Sequence, residues 1–226
     1  MSPGIELALH AARVRYGPLE ALHGVDLPVP AATVTVLLGR NGSGRTTVLR
    51  ALAGTVPLSA GRVLWRGEDV TRLPAHVRAR RGLCLVPDVR AVYATLTVAE
   101  NLALSPAAPD EALAAYPALV PLLARRAGTL SGGERRMLAV SRALLTPAAR
   151  VVLVDEPALG MSPAVAARTY ERLAALATGR GATVVLAEQR LPPPGALPRG
   201  TLVHELRRGS LAFSGEPPEL AARARE

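Results

Sequence analysis

The sequence predicts an α/β fold: a mostly parallel sheet flanked by helices, an added N-terminal antiparallel β portion, and a mostly helical insert at about residues 88–145. Three observations carry this. Short apolar runs at Val34–Leu38, Val151–Val154 and Ala182–Ala187 lack alternation, as expected of strands buried on both faces. Strands alternate with segments of helical spacing through the middle of the chain. Hairpin-like strands lie at both ends: Ile5–Arg15 and Leu22–Val29, then Leu202–Leu206 and Leu211–Phe213 joined through Arg208-Gly209.

Along the chain, Val34–Leu38 stops at a glycine-rich loop, Gly39 to Gly44, and Thr46–Ala53 then reads as a helix closed by Gly54. Gly61–Arg66 and Gly82–Val86 are further short strands. Ala99 to Arg126 is Ala/Leu-rich and helical in pattern, but broken by Pro106, Pro109, Pro117 and Pro121. Ser131 opens another helix, with Met137, Leu138, Val140 and Leu144 at helical spacing. Pro163–Ala177 is amphipathic, and Leu191-Pro-Pro-Pro-Gly195 cannot be helical.

Composition narrows the classes of function. The 226 residues are 49% hydrophobic, with a net charge of +9, which fits a folded chain and excludes a disordered one. The expected organisation is a single domain over residues 1–226. All 27 basic residues are arginine, so a phosphate partner would meet planar guanidinium forks. Only six aromatics (Trp65, Phe213 and four Tyr) argue against a stacking platform for single-stranded nucleic acid. Cys84, the one cysteine, sits in the apolar run Leu83–Val86 and reads as an inert core thiol. No secretory signal and no apolar run of about 18 residues is visible, so any membrane attachment is expected through a partner.

Three motifs carry chemistry. Gly39-Arg40-Asn41-Gly42-Ser43-Gly44-Arg45-Thr46-Thr47 lies between a strand and a helix, the context of a phosphate-binding P-loop. Its glycines let backbone N–H groups converge on phosphate, and the helix N-terminus adds a favourable dipole. The Thr46 hydroxyl stands where a Mg²⁺ ligand is needed, while Arg45 occupies the position of the loop lysine, a non-conservative exchange. Secondly, Val151–Val154 runs into Asp155-Glu156-Pro157, where Asp155 would serve the Mg²⁺ shell and Glu156 would polarise the attacking water. Thirdly, Leu130-Ser131-Gly132-Gly133-Glu134 opens a helix between these two motifs, with Ser131 as candidate cap.

With these residues in order, the sequence resembles the ATP-binding-cassette (ABC) ATPase family over essentially its whole length. More narrowly, it resembles the second ATPase subunit of branched-chain amino-acid importers, on Tyr16-Gly17 with Glu20-Ala21-Leu22, Val86-Pro87-Asp88, Leu96–Leu102, Ala127–Glu134, Glu156–Pro163 and Glu188-Gln189. The resemblance implies a P-loop NTPase core with ATP and Mg²⁺ as cofactors. Tyr16 would stack on adenine, residues 39–47 would hold the phosphates, and Asp88 would occupy the glutamine-loop position. Gln189 would take the switch-histidine position, where it can hydrogen-bond the γ-phosphate but cannot titrate. Ser131, Gly132, Gly133 and Glu134 would serve ATP held by an opposite subunit.

The implied partners are a second ABC ATPase subunit, in a homo- or heterodimer, and integral membrane permease subunits docking near Asp88 to Leu96. No nucleic acid is expected, and the implied location is peripheral, on the cytoplasmic face of the cell membrane. Alternative readings are a poorly hydrolysing regulatory half of a heterodimer, favoured by Arg45 and Gln189, and a soluble ABC ATPase. The chain departs from the family pattern at Arg45, at Pro192-Pro193-Pro194 after the switch position, and in a short insert between Asn101 and Gly128.

Overall fold

A computed structural model describes residues 4–223 of the chain. The elements, in chain order, begin with β1 (Ile5–Tyr16), β2 (Leu19–Pro30), β3 (Val34–Leu38), α1 (Arg45–Ala53), β4 (Ala60–Trp65), β5 (Glu68–Asp69), α2 (Ala75–Arg80) and β6 (Leu83–Val86). The insert follows as α3 (Val98–Ala103), α4 (Asp110–Ala115), two 3-10 turns (Pro117–Leu122 and Ala127–Thr129) and α5 (Gly132–Leu144). The chain returns through β7 (Val151–Asp155), α6 (Pro163–Arg180), β8 (Thr183–Glu188), β9 (Leu202–Arg207), β10 (Ser210–Gly215) and α7 (Pro217–Arg223).

Two sheets form. One is antiparallel in the order β2-β1-β4-β5; the other has six strands in the order β10-β9-β3-β8-β7-β6. In the larger sheet β9, β3, β8, β7 and β6 run parallel, and β10 pairs antiparallel to β9. The C-terminal hairpin therefore extends the main sheet, while the N-terminal strands build the separate antiparallel one. The predicted α/β class with an N-terminal antiparallel portion and a helical insert is the observed architecture. The prolines cut the insert into six-residue pieces, α3, α4 and the first 3-10 turn, as a missing N–H and a fixed φ require.

Strand period decides what each face of the sheet meets. Val152 and Val154 of β7, with Val184 and Leu186 of β8, pack in one cluster with α5 and α6. Val151 and Leu153, with Val185 and Ala187, pack in the other, against α1 and the antiparallel sheet. Because side chains alternate, Asp155 follows Val151 and Leu153 towards α1, and Glu188 follows Val184 and Leu186 towards α6. The fold thus sends these two strand-end carboxylates to opposite faces of one sheet. Among the described residues, no helix is long and apolar enough to cross a membrane.

Candidate functional site: a phosphate-loop cleft

The loop between β3 and α1 is shaped by its glycines. Gly44, the N-cap of α1, has φ 106°, and a Cβ there would lie 2.9 Å from Leu22 Cδ2. Gly39 N donates to Glu188 O at 3.1 Å, and Gly209 N, from the β9–β10 turn, donates to Ser43 O at 2.9 Å. Ser43 is buried, and its Oγ has no partner among the described residues; nor has Nη1 of Arg45, which is 5% exposed. Unmatched buried donors of this kind are costly unless something accepts from them. Two such donors in a glycine-lined turn at a helix N-terminus fit an anionic phosphate group.

The carboxylates lie across the loop. The Asp155 side chain accepts a hydrogen bond from Thr46, and burial pushes its pKa up despite that bond. Thr46 and Asp155 fit a Mg²⁺ ion as two oxygen donors; nucleotide and water would supply the rest, as is usual for that metal. Glu156 has a left-handed backbone at φ 49°, uncommon for a non-glycine residue and a form of strain found at functional sites. Its Oε1 accepts from Gln189 Nε2 at 2.8 Å and lies 3.3 Å from Arg45 Nη2.

Tyr16, Arg40 to Thr47, Asp88, Glu156 and Gln189 line one cleft of about 890 Å³. Tyr16 is 41% exposed at the end of β1, available as a stacking face. Asp88 is half-exposed and pairs with Arg50 of α1 at 3.7 Å. The cleft therefore gathers most of the predicted site residues. Gly39 lines an adjoining pocket that shares Arg40 to Ser43 and Gln189, and Asp155 is buried, bonded to Thr46 of the cleft.

Ser131, Gly132, Gly133 and Glu134 are not in this cleft. They form the N-terminus of α5, where Ser131 Oγ accepts from Glu134 N at 3.3 Å and Glu134 Oε2 accepts from Ser131 N at 2.8 Å. This capping box holds the Glu134 carboxyl below its usual range, chiefly through the Ser131 backbone bond.

Sequence reasoning passed over several residues of the site. Arg136 of α5 is buried and donates to Pro87 O at 2.6 Å and to Asp155 O, tying the helix after Ser131 to the loop before Asp88 and to the end of β7. Burial lowers its pKa, opposed first by Asp155 and then by Asp88. Glu188 accepts from Tyr170 OH at 2.5 Å, and burial raises its pKa to about 7. His23, Leu159, Arg208 and Gly209 also line the cleft. Only the pairing of β9 with β3 brings the turn at 208–209 there, so no local signal marked it.

The loop from Asp88 to Leu96 is pinned from behind. Asn101 is fully buried, accepts from Tyr93 N at 2.9 Å and donates to Tyr93 O at 3.0 Å. Arg142 stands 5.6 Å from the Tyr93 ring centroid. Val89 and Tyr93 are left exposed. Cys84 is partly buried in β6, and burial raises its thiol pKa, in keeping with an inert role.

A phosphate loop, a strand-end acid pair and a capped Ser-Gly-Gly-Glu helix, on a sheet of this order, define an ATP-binding cassette. The match to known proteins agrees: residues 22–159 fit the ABC transporter family model, and the chain belongs to that family. It is 36% identical over 214 residues to the probable branched-chain amino acid transport ATP-binding protein LivF of Archaeoglobus fulgidus, covering 91% of this chain and 89% of that protein. It is 36% identical over 183 residues to the high-affinity branched-chain amino acid transport ATP-binding protein BraG of Pseudomonas aeruginosa, covering 77% and 78%. A nucleotide-free ATP-binding cassette from an ABC transporter superposes with a TM-score of 0.80 at 23% identity, covering 98% of this chain and 96% of that one. A bacterial Atm1-family ABC exporter with ATP bound gives 0.82 at 23% identity, covering 99% of this chain and 41% of that one. At such identities these two likenesses speak for the fold alone.

Proposed function

We propose that this chain is the ATP-binding and ATP-hydrolysing subunit of an ABC importer for branched-chain amino acids or a related small polar solute such as urea or an amide. The observation that carries the reading is the cleft in which the phosphate loop, Glu156 and Gln189 meet, with Ser131–Glu134 held outside it. Arg40 to Thr47 bind the phosphates, Tyr16 stacks on the base, and Thr46 with Asp155 hold Mg²⁺, which would neutralise phosphate charge. Glu156 is the general base, and Gln189 orients the γ-phosphate. Ser131, Gly132, Gly133 and Glu134 complete the site of a second ATPase subunit. The whole chain acts as one domain, with residues 88–145 as its helical subdomain. Permease subunits dock near Asp88 to Leu96 and hold the chain on the cytoplasmic face of the membrane.

The names of LivF and BraG support the solute class. The contact between Arg45 and Glu156 favours a second reading, a partner that binds nucleotide but hydrolyses it slowly. ATP turnover by the chain alone and with a second ATPase subunit distinguishes the two. Assayed without a second kind of subunit, a hydrolysing chain loses Mg²⁺-dependent turnover on Glu156→Gln, keeps ATP binding, and forms a closed dimer with ATP. A chain that binds no ATP under any of these conditions refutes both.

A further inference from the structure

Both donors on the Glu156 carboxylate are groups that a bound nucleotide would claim. Arg45, the first residue of α1, belongs to the phosphate turn, and Gln189 follows the last residue of β8. Both approach the same oxygen, Oε1, at 3.3 and 2.8 Å. Two donors on one carboxylate oxygen occupy the lone pairs with which it would engage a water molecule. Within the chain, Glu156 is held in a form poorly suited to activate water.

We propose that the Arg45–Glu156 pair is a latch opened by nucleotide phosphate: the phosphate draws the guanidinium onto itself and frees the Glu156 carboxylate to face the attacking water. This rests on the reading of the cleft as an ATP site. The present pairing leaves the guanidinium badly matched. Its contact of 3.3 Å exceeds the roughly 2.7–2.9 Å of a good charge-assisted bond, and Nη1 is buried without a partner among the described residues. Phosphate oxygens satisfy both nitrogens of the fork, which one carboxylate oxygen does not. Phosphates also carry more negative charge than one carboxylate, so the exchange runs towards them. Gln189 leaves the same oxygen by the same logic, as its amide turns to the γ-phosphate. Arg45 is then a positioning residue for the base as well as a phosphate ligand.

A double-mutant cycle read by calorimetric affinity tests this, with Mg²⁺ and an ATP analogue bearing a non-hydrolysable β–γ bridge as the probe. The four chains are the natural one, Glu156→Gln, Arg45→Ala and the double variant. Removing the Glu156 charge relieves repulsion of the triphosphate in either background. The latch adds a second gain only where Arg45 is present, because the pair no longer has to be broken. Glu156→Gln is expected to tighten binding about tenfold beside Arg45 and only about twofold beside Ala, a coupling within the usual range for contacting residues. Equal gains, or a larger gain beside Ala, overturn the latch and leave the ATP site standing, because a guanidinium that keeps Glu156 while phosphate is bound gives that pattern. No binding by any of the four chains overturns the latch together with the ATP site. If Arg45→Ala fails to melt cooperatively, Arg45→Met, which keeps length without the cation, replaces it, with the same inequality expected.

Discussion

At the residue scale, the site is governed by carboxylates whose surroundings differ. Asp155 and Glu188 end neighbouring strands, but the pleat turns Asp155 to Thr46 and Glu188 to Tyr170. Burial is the main cause of the Glu188 pKa rising from 4.5 to about 7; Tyr170 opposes the rise, and the nearby Glu156 charge adds to it. An acid whose folded pKa is raised binds its proton more tightly when folded, so stability falls as pH climbs from the unfolded value through the folded one. Between about pH 5 and 8 the natural chain should lose on the order of 2 kcal/mol from this group. Glu188→Gln keeps an acceptor for Tyr170 and cannot ionise, so its loss over the same window should be much smaller. Urea midpoints at several pH values check this, and parallel curves for the two chains refute it. Gln189, the next residue, was a candidate site residue through the family resemblance, and it lines the cleft. Glu188 was not assigned a role, because its burial depends on α6 arriving from elsewhere in the chain.

At the level of elements, arginine binds pieces of backbone together. Arg78 of α2 is 1% exposed and donates to Ala51 O and Leu52 O at the end of α1, and also to Val70 O and Leu73 O. Ala51 O also accepts from Gly54 N and Val70 O from Leu73 N, so the guanidinium adds to turn bonds as well as meeting the C-terminus of α1, where the helix dipole favours a cation. Gly54, the left-handed C-cap at φ 75°, leaves room for it: a Cβ there would lie 2.8 Å from Arg78 Nε. Arg78→Met keeps bulk but removes the guanidinium bonds to Leu52 O and Leu73 O and the second bond to Ala51 O and Val70 O, and should destabilise the chain by about 2–3 kcal/mol; a denaturant midpoint within error of the natural one would show otherwise. This explains what the sequence left illegible. The long strands, α1, α5, α6 and the C-terminal hairpin announce themselves through apolar runs, caps and turn residues. Helix α2, AHVRAR, has no apolar stripe, and β5 has two residues; both exist because of tertiary contacts. An arginine-only composition offers planar forks to phosphate, and the fold also uses Arg78 and Arg136 as buried collectors of carbonyl groups. Site residues within motifs were legible, whereas Arg136 and Arg208, placed by pairing and packing, were not.

For the whole molecule, Ser131–Glu134 stand apart from the cleft; on the proposed function each complete site is then a property of two chains, so one altered loop need not silence the assembly. With a partner carrying a conventional phosphate loop, the two composite sites are unequal. One joins Arg45 and Glu156 of this chain to the partner's counterpart of Ser131–Glu134. The other joins the partner's loop to Ser131, Gly132 and Gly133, which here form an intact, capped helix start. Loss of a well-placed phosphate or oxyanion contact lowers a rate by about 10²–10³-fold, so the second site should carry most of the turnover. Ser131→Arg places a bulky cation at that site and should abolish most ATPase activity and transport, whereas Glu156→Gln, acting on the slower site, should reduce them much less. Since Ser131 also caps α5, the melting temperature must be compared; losing the cap costs only about 1 kcal/mol, too little to unfold a domain of this size. A latch at Arg45 lends the inequality a cause, because the first site must break an ion pair before its base is free. Should Glu156→Gln prove the more damaging change in the assembled complex, the Arg45 site is the working one, and the exchange of lysine for arginine has been absorbed without loss of rate.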